Sequence, residues 1–251
     1  MKTALHLFLA FVAIFCSMKA QSQSTNISIS AATLDWKIAR KGELQYLIYL
    51  PKDYDKTANK RWPLMIFLHG AGERGNDVQR VAIHGPLSLV KQGTNFPFII
   101  VAPQCPAGEI WENEPLLQLL DRVAEDHAVD TNRIYLTGLS MGGYGTWKLG
   151  TQHAKRFAAI APICGGGNMI DVVLGSWDKG APLKSLPIWA FHGAKDDVVP
   201  LAESERLVNQ MKKFSVRDVK LTVYPEAKHD SWRLTYADPE FYEWLLKQSR
   251  Q

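Results

Sequence analysis

Five short, unbroken apolar runs constrain this chain more than any other feature: Leu64–Leu68, Phe98–Ala102, Ile134–Leu136, Phe157–Ala161 and Ile188–Phe191. A run that short, apolar on both alternating sets of side chains, suits a strand covered on both faces, as in a parallel sheet. Helical patterns separate the runs. Leu116, Leu117, Leu119, Leu120, Val123 and Ala124 form one apolar stripe behind Asn113-Glu114-Pro115. Leu201, Leu207, Val208, Met211 and Phe214 form a second, and Phe241, Trp244 and Leu245 a third behind Asp238-Pro239. Strands alternating with helices predict an α/β architecture with a mostly parallel central sheet flanked by helices. At the two ends the pattern is half-wet. Leu44, Tyr46, Ile48 and Leu50 alternate, as do Val219, Leu221 and Val223, which predicts a half-buried strand and a strand near an edge. With 251 residues, 46% of them hydrophobic, the chain can bury a core without staples. No repeat or linker divides it, so one domain is expected from residue 24 to residue 251.

The N-terminus reads differently. Lys2 leads into an apolar run from Leu5 to Cys16, broken only by His6 and closed by Ser17-Met18-Lys19-Ala20. That is the build of a secretory signal peptide over residues 1–20, and the run is short for a bilayer span. The alternative is an uncleaved anchor. The expected location is secreted or periplasmic, with no stable membrane insertion once the signal is removed. Its removal takes Lys2 and Lys19, so the formal charge of +4 falls by two. No Lys/Arg cluster stands out, which argues against a nucleic-acid partner. Cys105 and Cys164 remain in an exported chain, where disulfides are permitted, but spacing alone leaves their pairing open.

The sharpest local feature is Thr137-Gly138-Leu139-Ser140-Met141-Gly142-Gly143, a G-x-S-x-G segment between an expected strand and a helix-compatible stretch. A serine on so tight a turn is strained, with its hydroxyl exposed, and bulky residues two positions away would clash. Hence Gly138 and Gly142. The helix N-terminus behind it favours developing negative charge. A serine needs a base. Downstream, Asp196-Asp197 follows the strand at Ile188 and His229 follows the strand at Val219. Parallel strands bring such loops to one sheet edge. His229 would take the Ser140 proton, and one of the aspartates would hold its tautomer.

These residues resemble the α/β-hydrolase superfamily. Within it the chain is similar to secreted esterases related to feruloyl esterases, polyhydroxybutyrate depolymerases and predicted peptidases. The resemblance runs from Leu44 to Gln248. It rests on Leu68-His69-Gly70-Ala71-Gly72-Glu73-Arg74-Gly75, on Asn132-Arg133-Ile134-Tyr135 leading into the serine turn, on His192-Gly193 and on His229. It implies Ser140 as nucleophile, His229 as base and Asp196, rather than Asp197, as the acid. It implies oxyanion donors on the backbone of Met141 and of the His69-Gly70-Ala71 loop, with Ala71 the expected second donor. It implies no cofactor. The aspartates beside His229 raise a metal only weakly, since no His-x-x-His or His-Glu-x-x-His is present.

The remaining candidates are less specific. Trp111 and Trp177 lie in loops opening toward the catalytic edge, where they could stack on substrate or simply pack. Glu73 and Arg74 are read as a mutual or local ion pair shaping the loop. His69 and His192 are read as structural, and His84, His127 and His153 as surface or packing residues. The expected function is hydrolysis of a small-molecule or polymer-linked carboxylic ester through an acyl-enzyme. The alternatives are a serine peptidase of the same fold and a non-catalytic binding module on a hydrolase scaffold. Gly165–Pro187 is too short to build a large cap, so an open cleft is expected. Oligomeric state is not readable.

Overall fold

A computed structural model describes residues 42–57 and 59–250. The expected signal segment, 1–20, and the expected start of the domain lie outside these residues. Seven strands form one sheet: β1 (Tyr46–Tyr49), β2 (Trp62–Leu68), β3 (Ile99–Pro103), β4 (Val129–Leu139), β5 (Ala159–Ile163), β6 (Ile188–Gly193) and β7 (Val219–Tyr224). Their order is β1-β3-β2-β4-β5-β6-β7. Only β1 runs antiparallel to its neighbour, with Tyr46 opposite Pro103. The expected mostly parallel sheet is what forms, with β7 at one edge.

Among the described residues seven helices cover it: α1 (Pro86–Lys91), α2 (Asn113–Asp126), α3 (Met141–Gln152), α4 (Met169–Ser176), α5 (Ala202–Lys213), α6 (Trp232–Ala237) and α7 (Pro239–Leu246). Alternation along the strands explains the two apolar layers. Trp62, Leu64, Ile66 and Leu68 of β2 face one core with Leu116 and Leu120 of α2, Trp147 of α3 and Leu207 of α5. Met65 and Phe67 face the other, with Leu87 of α1 and Phe241, Trp244 and Leu245 of α7. A strand with an apolar core on each face has to be apolar throughout, as β2 is. Cys105 belongs to the first core and Cys164 to the second, and both are free thiols. The sheet stands between them, so the pairing left open above does not form.

Some elements depart from expectation, the short helices α1 and α4 among them. The β4 strand begins at Val129, ahead of the apolar run, because Trp62 pairs with Val129 across a register shift before Leu64 meets Ile134. Helix α6 was not anticipated. Its inward residues are Thr235 and Tyr236, while Leu234 is exposed, so it carries no clear apolar stripe.

Candidate active site

The turn from β4 into α3 holds Ser140 at φ 53° and ψ −117°, a conformation that a non-glycine residue adopts only when its surroundings enforce it. Those surroundings are backbone. A Cβ on Gly142 would lie 2.0 Å from the Leu68 carbonyl oxygen, and one on Gly138 would lie 2.5 Å from that of Gly142. The glycines therefore let β2, β4 and α3 converge under the serine. The Ser140 N–H is shared between Ile163 O at 3.0 Å and Cys164 Sγ at 3.3 Å.

His229 and Asp196 arrive on the loops after β7 and β6. A Cβ on Gly193 would lie 2.2 Å from Lys228 O, so this glycine lets the end of β6 close on the histidine loop. Ser140 Oγ is 2.9 Å from His229 Nε2. His229 Nδ1 is 2.8 Å from Asp196 Oδ2 and 3.0 Å from Oδ1. With Ser140 donating to Nε2, the ring proton sits on Nδ1 and is given to the carboxylate. The Asp196 side chain is fully buried. Its Oδ1 also accepts from the N–H groups of Val198 and Val199, each at 2.9 Å. Asp197, one residue on, is exposed. His192 is buried as expected. It contacts Val199 O at 2.9 Å and Ser204 Oγ at 2.8 Å, and its Nε2 lies 3.3 Å from Asp196 Oδ2.

The segment expected to supply the second oxyanion donor is held unusually firmly. Trp111 Nε1 donates to His69 O at 3.1 Å, and His69 Nδ1 donates to Gly70 O at 2.6 Å. Arg74 Nε donates to Ala71 O at 3.0 Å, and Arg80 donates to Gly72 O at 2.6 Å. Gln104 Nε2 donates to Glu73 O at 2.8 Å. Five consecutive carbonyls are each tied by a side chain. His69 Nε2 in turn accepts the Cys105 N–H at 2.9 Å. Burial lowers the pKa of His69 from its ordinary value, and this neutral role fits that direction. A methyl on Gly70 would lie 3.7 Å from Ser140 Cβ, so the loop stands beside Ser140. Met141 begins α3, where an N–H has no intrahelical acceptor. Arg74 does not pair with Glu73. It bonds the carbonyls of Ala71 and Glu109 instead, which corrects the mutual pair but leaves the loop-shaping role.

A half-open groove of about 560 Å³ leads away from Ser140. Ile110, Trp111, Met141 and Tyr144 give it apolar walls, and Lys148, Gln152, Asn168 and Asp171 a polar far end. Trp111 is only 4% exposed and clamps His69, so support is its main office. Trp177 does not line the groove. It caps the C-terminal end of α4, 68% exposed, with its ring 6.4 Å from Phe214, whereas the N-terminal end of that helix reaches the groove. The segment between β5 and β6 holds only α4 and one short turn, so no large cap forms. Cys164 Sγ, the Asp196 carboxylate and His229 lie within 4.8 Å of one another. A metal there would have to displace the His229–Asp196 bond and ionise a thiol that burial raises to about 12.

Residues 109–238, just over half of the chain, match the family model described as phospholipase/carboxylesterase. The chain belongs to the phospholipase/carboxylesterase family. Several of its relatives carry esterase names, and others are named a poly(3-hydroxyalkanoate) depolymerase and a dipeptidyl-peptidase. It is 32% identical over 178 residues to the bifunctional acetylxylan esterase/xylanase of Neocallimastix patriciarum, covering 66% of this chain and 24% of that one. It is 27% identical over 173 residues to the probable feruloyl esterase C of Aspergillus terreus, covering 66% and 60%. Among solved structures it resembles a thermostable esterase, with a TM-score of 0.68 and 34% identity over 82% of this chain and 60% of that one. The chain thus spans between about a quarter and three fifths of the length of these curated relatives. The fold is that of the α/β hydrolases, as the sequence implied.

For a member of this family, sequence reasoning missed the tethers from Arg80 and Gln104, and the place of Trp232. The Trp232 ring stands edge-on to His229, with centroids 5.4 Å apart. The only signal was proximity in sequence, three residues after His229.

Proposed function

We propose that this protein is an exported serine hydrolase that cleaves carboxylic esters, with Ser140 as nucleophile, His229 as general base and Asp196 as its orienting acid. The single observation that carries this reading is the line from Ser140 Oγ through the His229 ring to Asp196, at 2.9 Å and 2.8 Å. Ser140 Oγ attacks the ester carbonyl while its proton passes to Nε2. The Met141 and Ala71 N–H groups receive the oxyanion, a stabilisation of roughly 3–4 kcal/mol per donor in such sites. Nε2 then gives its proton to the departing alkoxide, leaving an acyl-enzyme. Water, deprotonated by the same nitrogen, releases the acid and restores Ser140. The chemistry calls on no cofactor. Export rests on residues 1–20, and the substrate class, short acyl or hydroxycinnamoyl esters including polysaccharide-linked ones, is supported by the open groove and by the names of the relatives.

A fluorophosphonate probe should label Ser140 stoichiometrically. Ser140→Ala should fold and lose about 10⁴- to 10⁶-fold in turnover. Labelling at another serine would overturn the assignment. A substrate panel of aryl, acetyl, feruloyl and peptide compounds separates esterase from peptidase.

A further inference from the structure

A second wall of the cleft lies apart from the apolar groove. Trp232 stands against His229, and His84 lies against Trp232 with ring centroids 5.6 Å apart. His84 Nε2 is 3.9 Å from Glu73 Oε1. Glu73 leads back to the nucleophile, since a methyl on Gly70 would touch its Oε2 at 3.3 Å and Ser140 Cβ at 3.7 Å. None of Glu73, His84 or Trp232 lines the groove. These contacts run from His229 through Trp232, His84 and Glu73 to the Gly70 turn beside Ser140. If His229 Nε2 protonates the leaving oxygen, as proposed above, the alcohol half of the ester lies on the His229–Trp232 side and the acyl half has the groove.

Glu73 is anomalous on that wall. Its side chain is about nine-tenths buried, yet among the described residues no group donates a hydrogen bond to its carboxylate. His69 approaches Oε2 only to 3.9 Å, and its Nδ1 proton is already given to Gly70 O at 2.6 Å. A buried carboxylate has room for several donors and normally has them. What the group lacks is a hydrogen-bond donor, and a neutral hydroxyl supplies that.

We propose that Glu73 is a specificity-determining residue for the alcohol half of the substrate: its carboxylate accepts a hydrogen bond from a hydroxyl of a polyhydroxy leaving group, such as a sugar ring, beside the scissile bond. This rests on the ester-hydrolase reading above and names the side of the substrate that reading left open. The geometry also assigns the neighbours. His84 lies 3.9 Å from the carboxylate on one side, and the five tethered carbonyls fix the backbone that carries Glu73.

The test compares pairs that share an acyl group: methyl ferulate with feruloyl-arabinose, and methyl acetate with 6-O-acetylglucose. The readout is the ratio of kcat/KM for sugar ester over methyl ester. Wild type should favour the sugar ester. Glu73→Gln, which weakens the acceptor, should lower the ratio about tenfold, and Glu73→Met, which removes it, about 10- to 100-fold, mostly through KM. A structural role would reduce both esters alike and leave the ratio unchanged, which overturns the proposal. A wild-type preference for acetylcholine over methyl acetate that these variants abolish would make Glu73 an ammonium site and overturn it too. Partitioning of the acyl-enzyme needs no variant: in wild type, added xylose should capture the acyl group more effectively than methanol at equal concentration, and the reverse order counts against the proposal. Turnover of no ester at all would sink the ester-hydrolase reading itself, an outcome distinct from an unchanged ratio.

Discussion

Replacing Asp196 by Asn keeps the shape of the side chain and reverses one of its ends. The N–H groups of Val198 and Val199 both donate to Oδ1 at 2.9 Å, so the asparagine must keep its carbonyl there. Its NH₂ then occupies the Oδ2 position, 2.8 Å from His229 Nδ1 and 3.3 Å from His192 Nε2. Both imidazole nitrogens are donors in the wild-type arrangement. His229 can escape the conflict by moving its proton to Nε2, but that proton then points at Ser140 Oγ, 2.9 Å away. The base is filled before the reaction begins. The expected loss in kcat is on the order of 10⁴, about 5 kcal/mol of barrier. Stability should drop by about 1–3 kcal/mol, because a buried donor pair replaces a charged hydrogen bond. Asp197 is exposed, and Asp197→Asn should change stability by no more than about 0.5 kcal/mol. The assay is kcat/KM for p-nitrophenyl acetate on both variants, with thermal unfolding run alongside. Equal losses, or the larger loss at Asp197, would refute the assignment of the acid.

Three further outcomes are expected. Burial raises Cys105 to about 11 and Cys164 to about 12, so at pH 8 neither should react with a thiol reagent until the protein is denatured; fast labelling of the native form would contradict the opposed cores. Burial depresses His69, so below its ordinary 6.5 the unfolded chain binds this proton more readily than the folded one. The stability that His69 contributes should be complete above about pH 6.5 and decline as pH falls toward its lower folded value. Tm measured from pH 7 to 5 should therefore fall more steeply in wild type than in His69→Gln, and equal slopes would discount the effect. A p-nitrophenyl ester series should favour short chains, with no jump at an oil–water interface, because the groove, apolar beside Ser140, is half-open, only about 560 Å³ in volume and bounded further out by Lys148, Gln152, Asn168 and Asp171; best activity on long-chain emulsions would reverse the substrate class.

The sheet was legible because its strands announce themselves: a core on each face leaves β2 no polar position, and the alternation at Val219 marked the edge. The start of β4 was not legible. Asp130-Thr131-Asn132-Arg133 reads as a turn, and only pairing with β2 across a register shift makes it strand. For the site, the G-x-S-x-G turn, the two strand ends and His229 carried the constellation, since backbone sterics dictate local residue types. The tethers of the 69–73 segment were invisible for the opposite reason. The donors Arg80, Gln104 and Trp111 lie 8, 31 and 42 residues from the carbonyls they hold, and no local spacing rule ties together groups joined only by the fold. Trp177 shows the same limit: its loop opens toward the catalytic edge, but the turn of α4 carries the ring away.

Those tethers have a consequence for how the molecule opens. The 69–80 segment and the 104–111 segment are joined by the Trp111, Gln104 and His69 bonds, and also by the Gly75 N–H to Cys105 O at 3.1 Å. Neither can swing out without breaking the other's hydrogen bonds, so the two should exchange their amide hydrogens as one cooperative unit. The amides of Gly75 and Cys105, each held by such a cross-link, should show closely matched protection and lose it together as denaturant rises. A surface loop fastened in this manner belongs, in its dynamics, with the interior of the protein.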